Sequence, residues 1–365
     1  MQKNLLMVLG PVEIEEDILQ IGSWPQVYNR TPEFSNRLAE IHKNLQYVFQ
    51  TKNPVVLAAA SGTGMMEAAI TNILSKGDTA LYVNGGTFGE RWGQICMKHG
   101  IKAKEIKLAL GETVSPSLID QELRNNPQIK AVLITHDETS TGTLTDIESI
   151  GKIVRELPDV ILVVDSISAL VVEKLEMDNW GLDIVVSSSH KAMSIPPGLS
   201  FISFSQKALK FAEKCESRLF YFDIFEYIKD WKKNQTPFTP PIGLLFQLEA
   251  RLKKIKQEGL EAIQQRYSEN TDFLRKGLSE LGFNILSTNP ANCVSAVVVT
   301  DYNAREIVNL MSEKHYITIA PSGGELETKL FRVGNFGNIT RKDIERFLKA
   351  LKSTLSELRD KTSTV

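Results

Sequence analysis

Between residues 50 and 205 the chain alternates short apolar runs, several of them apolar throughout, with amphipathic stretches, and that alternation leaves few folds open. The runs lie at 55–60, 80–83, 131–135, 160–164, 184–187 and 199–204. Apolar residues at nearly every position, rather than at every second one, mark strands covered on both faces, as in a parallel sheet. Between them, the stretches 65–74, 90–99, 117–125 and 147–157 place apolar residues at helical spacing. This pattern predicts an α/β domain built on a mostly parallel sheet flanked by helices. Ligands in such sheets bind beyond the carboxyl ends of the strands, so chemistry is expected just after each run.

The remainder of the chain changes character. A proline-rich break at 236–241 precedes a charged helical pattern from about 243 to 281, interrupted near Gly259. A β-rich run at 294–300, a helix at 304–314, a strand at 329–333 and a last helix at 341–358 then predict a smaller α+β domain. With 42% hydrophobic and 24% charged residues, the chain has the balance of a globular protein. A net charge of −2 gives no electrostatic footprint for nucleic acid or an anionic membrane. The basic clusters at 229–233 and 251–256 read as solvated helix faces. The three cysteines form no close pair and the five histidines no helical ligand pair, so neither a disulfide framework nor a metal site is expected. The first apolar stretch is too short for a signal peptide, and no window reaches the roughly 20 apolar residues of a membrane span. A cytoplasmic location is the expectation.

Several residues after the runs carry chemistry. Ser61-Gly62-Thr63-Gly64 opens a helix, where unpaired amides and small side chains suit a phosphate, or simply start the helix. Asn84 through Arg91 forms a glycine-rich turn that either closes tightly or presents the Phe88 ring to a flat ligand. Asp165 ends one buried strand, and Ser189-His190-Lys191 follows another. An acid and an amine in such places are paired with each other, stand at a strand end that reaches solvent, or are chemically employed. Employed, Lys191 would form an imine while Asp165 holds a protonated ring nitrogen, whose positive charge withdraws electrons from a substrate carbanion.

In order and spacing, these segments resemble the class V aminotransferases of the fold-type-I pyridoxal-phosphate enzymes, closest to the alanine–glyoxylate and serine–pyruvate aminotransferase branch. The resemblance spans nearly the whole chain. It runs through residues 47–54, the Ser61-Gly62-Thr63-Gly64 turn, residues 84–91, residues 136–142 and Asp165-Ser166-Ile167-Ser168-Ala169. It continues through the Lys191 segment with Pro196-Pro197-Gly198, and ends at Phe331-Arg332-Val333-Gly334. It implies pyridoxal 5'-phosphate as cofactor, with Lys191 as the Schiff-base lysine and proton carrier and Asp165 beside the pyridine nitrogen. Phe88 and Ile167 would cover the two faces of the ring, and Thr139 would touch its side. Ser61, Gly62 and Thr63 would hold the phosphate, with help from Ser189 and His190. The family places its active sites at a homodimer interface, so Thr239 would reach the neighbouring subunit's phosphate, with Thr236 a second candidate. Thr239 could equally cap the helix that follows it. Arg332 would clamp the substrate carboxylate through a bidentate pair, and Gly10 would lie near the substrate.

The implied organisation is an N-terminal segment 1–20 near the active site and interface, a large cofactor domain 21–258 and a small domain 259–365. Two departures stand out. The opening turn is Leu9-Gly10-Pro11 where the family often has Pro-Gly-Pro, and His190 precedes the lysine where the nearest branch often has Gln. A His–Lys pair also occurs in the related cysteine desulfurases, which need a nucleophilic cysteine before the arginine strand; residues 321–327 contain none. The function expected is transfer of an amino group from alanine or serine to glyoxylate or pyruvate by a ping-pong route. Aspartate, a ureido amino acid or 2-aminoethylphosphonate as donor are alternatives, as is a non-catalytic relative.

Overall fold

The computed structural model describes residues 4–216 and 219–363. Its larger sheet has seven strands in the order Val55–Ala58, Ser200–Phe204, Ile184–Ser188, Ile161–Asp165, Ile129–Thr135, Thr79–Asn84 and Lys102–Lys107. All run parallel except Ser200–Phe204, which is antiparallel to both of its neighbours. The wholly apolar runs follow from the pleat, because successive side chains leave on opposite faces and both faces are covered. Leu162 and Val164 enter one core, with helices Pro32–Phe49 and Ile147–Arg155. Ile161 and Val163 enter the other, with helices Gly62–Ile73 and Thr87–Lys98.

A second sheet has the order Leu5–Met7, Ile317–Pro321, Leu330–Gly334, Val294–Val298 and Asn284–Ile285. Phe331 and Val333 are fully buried in it, against Phe347 and Leu351 of the last helix, Arg341–Ser363. Three of its strands, Leu5–Met7, Ile317–Pro321 and Asn284–Ile285, lay outside the sequence expectations. Leu5–Met7 comes from the far end of the chain and pairs in parallel with Ile317–Pro321. The long charged pattern divides into helices Ile242–Glu258 and Leu260–Glu280, with Gly259 between them at φ +86°.

Two expectations need correcting. The 251–256 cluster is not simply a solvated face: Arg251 is buried and pairs with Glu15 at 3.1 Å, while Lys254 meets Glu15 at 2.5 Å and Asp17 at 2.6 Å. Thr239 caps no helix, because the next one begins at Ile242 behind Pro241 and has no side-chain cap. Among the described residues, no helix is long and apolar enough to cross a membrane.

Candidate active site

Three neighbouring parallel strands release their chains at one edge, and the polar residues collect there. Asp165 is the last residue of its strand, His136 and Asp137 follow Ile129–Thr135, and Lys191 lies in the turn after Ile184–Ser188. The Lys191 amine donates to Ser168 Oγ at 2.9 Å and Thr139 Oγ1 at 3.3 Å, and those two hydroxyls lie 2.5 Å apart. Burial lowers the Lys191 pKa, with Asp137 and Asp165 pulling the other way. That favours the neutral amine a nucleophile needs. Burial pushes the Asp165 carboxyl up to about 6, opposed by the Ile167 amide that donates to its Oδ1 at 2.8 Å and by the Lys191 charge. The Phe88 ring centroid lies 5.1 Å from the Lys191 amine, and that of Phe336 lies 5.9 Å away.

At the other end of the pocket Ser61 caps helix Gly62–Ile73, accepting from the Gly64 amide at 3.4 Å. Gly62 is there because Ile167 lies against it: a Cβ at that position would collide with Ile167 Cδ1. Thr63 Oγ1 accepts from Arg91 at 2.9 Å, and the Arg91 guanidinium lies 4.8 Å from the Phe88 centroid. Close by, the Tyr221 ring stacks on Phe238 at 4.8 Å, and its hydroxyl donates to the Ala59 carbonyl at 3.3 Å. The aromatic segment after 219 is thereby set beside the turn that leads into helix Gly62–Ile73. Gly10, at φ +114°, packs on Lys191, with room for a Cβ only 3.3 Å from Lys191 Cγ.

The predicted site residues do not all behave alike. His190 Nδ1 pairs with Ser188 Oγ at 3.0 Å, and burial followed by the Lys191 charge takes its pKa down to about 4, so the ring is neutral. The Ser189 hydroxyl donates to the Pro196 carbonyl at 2.7 Å and accepts from the Leu199 amide at 3.3 Å. A hydroxyl has one hydrogen, so in this arrangement Ser189 has none to offer a phosphate. Thr236 is buried and donates to the Phe238 carbonyl, whereas Thr239 is exposed. On strand Leu330–Gly334, Arg332 donates through Nη2 to the Pro321 carbonyl at 2.6 Å, and its buried Nε has no partner. Its pKa is lowered by burial and raised by Glu138.

Sequence reasoning missed Ser168, Arg91, Glu138, Asp137 and Phe336. Asp137 is fully sealed: it accepts from the Cys293 thiol at 2.9 Å, its Oδ1 has no partner, and burial pushes its carboxyl up to about 7. Burial and the Asp137 charge in turn raise the Cys293 thiol well above its ordinary value, so this cysteine is a buried small residue rather than a nucleophile. Among the described residues, no group of three or more His, Cys, Asp or Glu is arranged to hold a metal ion.

A family model described as aminotransferase class-V matches residues 21–341. This chain is a class V aminotransferase. It is 36% identical over 361 residues to a Synechococcus sp. (strain PCC 6716) protein named soluble hydrogenase, small subunit, covering 98% of this chain and 94% of that one. It is 31% identical over 346 residues to the L-aspartate–glyoxylate aminotransferase of Paracoccus denitrificans, covering 93% and 87%. The crystal structure of alanine–glyoxylate aminotransferase from Nostoc sp. superposes with a TM-score of 0.93 at 28% identity, covering 97% of this chain and 96% of that one.

Membership makes this aminotransferase an enzyme dependent on pyridoxal phosphate, acting on small amino and oxo acids. The donor set fits that cofactor. An amine of lowered pKa, a buried acid near it, an aromatic ring beside it and a helix start with two hydroxyls lie together past the carboxyl ends of the strands.

Proposed function

We propose that this aminotransferase moves the amino group of a small amino acid, alanine or serine, to a small 2-oxo acid, glyoxylate or pyruvate, in a ping-pong cycle. The observation that carries the reading is the Lys191 amine, buried and held by two uncharged hydroxyls with Asp165 nearby. Bound pyridoxal phosphate supplies an electron sink for the pair left on the substrate α-carbon. Lys191 would take the substrate α-proton on its Nζ and carry it, and Ser168 and Thr139 would hold that Nζ in place. Asp165, made anionic by a cationic partner, keeps the ring nitrogen protonated. Phe88 and Ile167 would cover the ring and exclude water, Thr139 would contact its side, and Ser61, Gly62, Thr63 and His190 would hold the phosphate. Arg332 offers an unpartnered Nε and a second donor to one carboxylate, which donor and acceptor present in turn. Gly10, against Lys191, lets the substrate approach the amine.

The same reading divides the chain into a cofactor domain 21–258 and a small domain 259–365, with the N-terminal segment 1–20 running past the pocket. It makes the active unit a homodimer in which the exposed Thr239 meets the neighbouring subunit's phosphate. Aspartate as donor is the second reading, favoured by the Paracoccus relative. The test mixes purified holoprotein singly with alanine, serine, aspartate, glycine and 2-aminoethylphosphonate while the visible cofactor band is followed. Alanine or serine should bleach it, and glyoxylate or pyruvate should restore it. Bleaching by aspartate alone selects the second reading, and no bleaching by any donor sinks both.

A further inference from the structure

Glu138 is a buried carboxylate in this pocket that none of the steps above employs. It sits on the short strand Asp137–Glu138, which pairs with Thr143–Leu144 just past the carboxyl end of Ile129–Thr135. Its oxygens accept from the backbone amides of Phe88 at 3.2 Å, Gly89 at 2.8 Å and Ser140 at 3.2 Å, and from the Ser140 hydroxyl at 2.5 Å. The Ser140 hydroxyl accepts in turn from the Thr87 amide at 3.1 Å. Helix Thr87–Lys98 thus starts on Gly86, which has no side chain to cap it, and its first three amides are met by a loop from another strand. Gly86 is needed for that approach, since a Cβ there would collide with Ser140 Oγ and the Glu138 side chain. A carboxylate at a helix start also meets the positive end of its dipole. The charge of Glu138 reaches Lys191, Asp165 and Arg332 as well.

We propose that Glu138 is a positioning residue for the cofactor: by gripping the Phe88 and Gly89 amides it fixes where the Phe88 ring stands over the pocket. The inference rests on the reading of Phe88 as the ring that covers the cofactor. A carboxylate serving only as a helix cap would stabilise the protein without regard to that ring. The two roles separate in a double-mutant cycle.

Full-length protein is stripped of cofactor and titrated with pyridoxal phosphate, following fluorescence quenching and the visible circular dichroism of the bound cofactor. The variants are Glu138→Ala, Glu138→Gln, Phe88→Ala and the corresponding doubles. Loss of charge-assisted hydrogen bonds predicts binding about tenfold weaker in Glu138→Ala, with a reduced dichroic band. On the Phe88→Ala background the same change should cost less than about threefold, because there is no ring left to position. Should Glu138→Ala fail to fold, Glu138→Gln, which keeps the size and one carbonyl acceptor, runs the same cycle with about a threefold effect expected. An equal factor on both backgrounds, or unchanged binding in the Glu138 single variants, overturns the proposal and leaves Phe88 in place. Unchanged binding in Phe88→Ala overturns the Phe88 assignment and the proposal together.

Discussion

Lys191 is buried and hydrogen-bonded to hydroxyls rather than carboxylates, so burial, working against the nearby Asp137 and Asp165 charges, favours its neutral amine. Ser168 makes the shorter of its two contacts. In the proposed role of Lys191 as proton carrier, removing that hydroxyl lets Nζ drift, and Ser168→Ala should lower kcat by about tenfold with little change in KM. Arg332→Ala should instead raise KM for donor and acceptor together by about 30-fold, equivalent to about 2 kcal/mol of charge-assisted hydrogen bonding. If neither KM moves in steady-state assays, Arg332 does not touch substrate. Lys191 and Asp165 were legible in the sequence because an amine and an acid at the ends of apolar strands are chemically out of place. Ser168, Glu138 and Arg91 were not, because a polar residue in a turn, a short strand or a helix ordinarily meets backbone, another side chain or solvent. The commitment of the Ser189 hydroxyl to Pro196 depends on a turn geometry that residue type does not reveal.

Most strands of the large sheet were legible for a simple reason: a strand covered on both faces has few polar positions to blur it. The strands that escaped notice lack that mark. Lys102–Lys107 lies at the sheet edge with charged, exposed positions along its length, and Leu5–Met7 is three residues whose partner, Ile317–Pro321, is distant in sequence. Helix Ile242–Glu258 shows a charge doing structural work beneath a polar pattern. Arg251 is buried, and its ion-pair partner Glu15 stands just before helix Glu16–Ile21, tying the N-terminal segment to the long helix. Glu15→Ala leaves a buried cation short of its counter-charge and should destabilise the protein by about 2 kcal/mol. Chemical denaturation measures this directly, and a change within about 0.5 kcal/mol would show the pair to be no more than a surface contact.

In the whole molecule the two sheets meet along a polar seam beside the pocket. Cys293 donates to Asp137, the Asn292 amide to Glu173 at 2.5 Å, and the Leu144 amide to the Asn289 carbonyl at 2.8 Å. Each contact joins residues far apart in the chain, so pattern reading gave no signal of the junction between the two sheets. The seam carries a pH signature. Burial raises the Asp137 carboxyl from an ordinary 3.8 to about 7, so between those values the folded protein binds a proton the unfolded chain has released. Stability from this group is full below about 3.8 and is lost as pH rises through about 7. Asp137→Asn removes that dependence, so its melting temperature, measured without cofactor, should fall less between pH 5 and pH 8 than that of the parent. Parallel curves would place the Asp137 proton elsewhere. The central claim is that this architecture exists to present Lys191 to pyridoxal phosphate, and the most direct test is chemical. Holoprotein is reduced with borohydride, digested, and the modified peptide located by mass spectrometry. The account predicts one pyridoxyl adduct, on Lys191, that is missing from Lys191→Ala; an adduct on another lysine, or an unmodified Lys191 peptide in active enzyme, would contradict it.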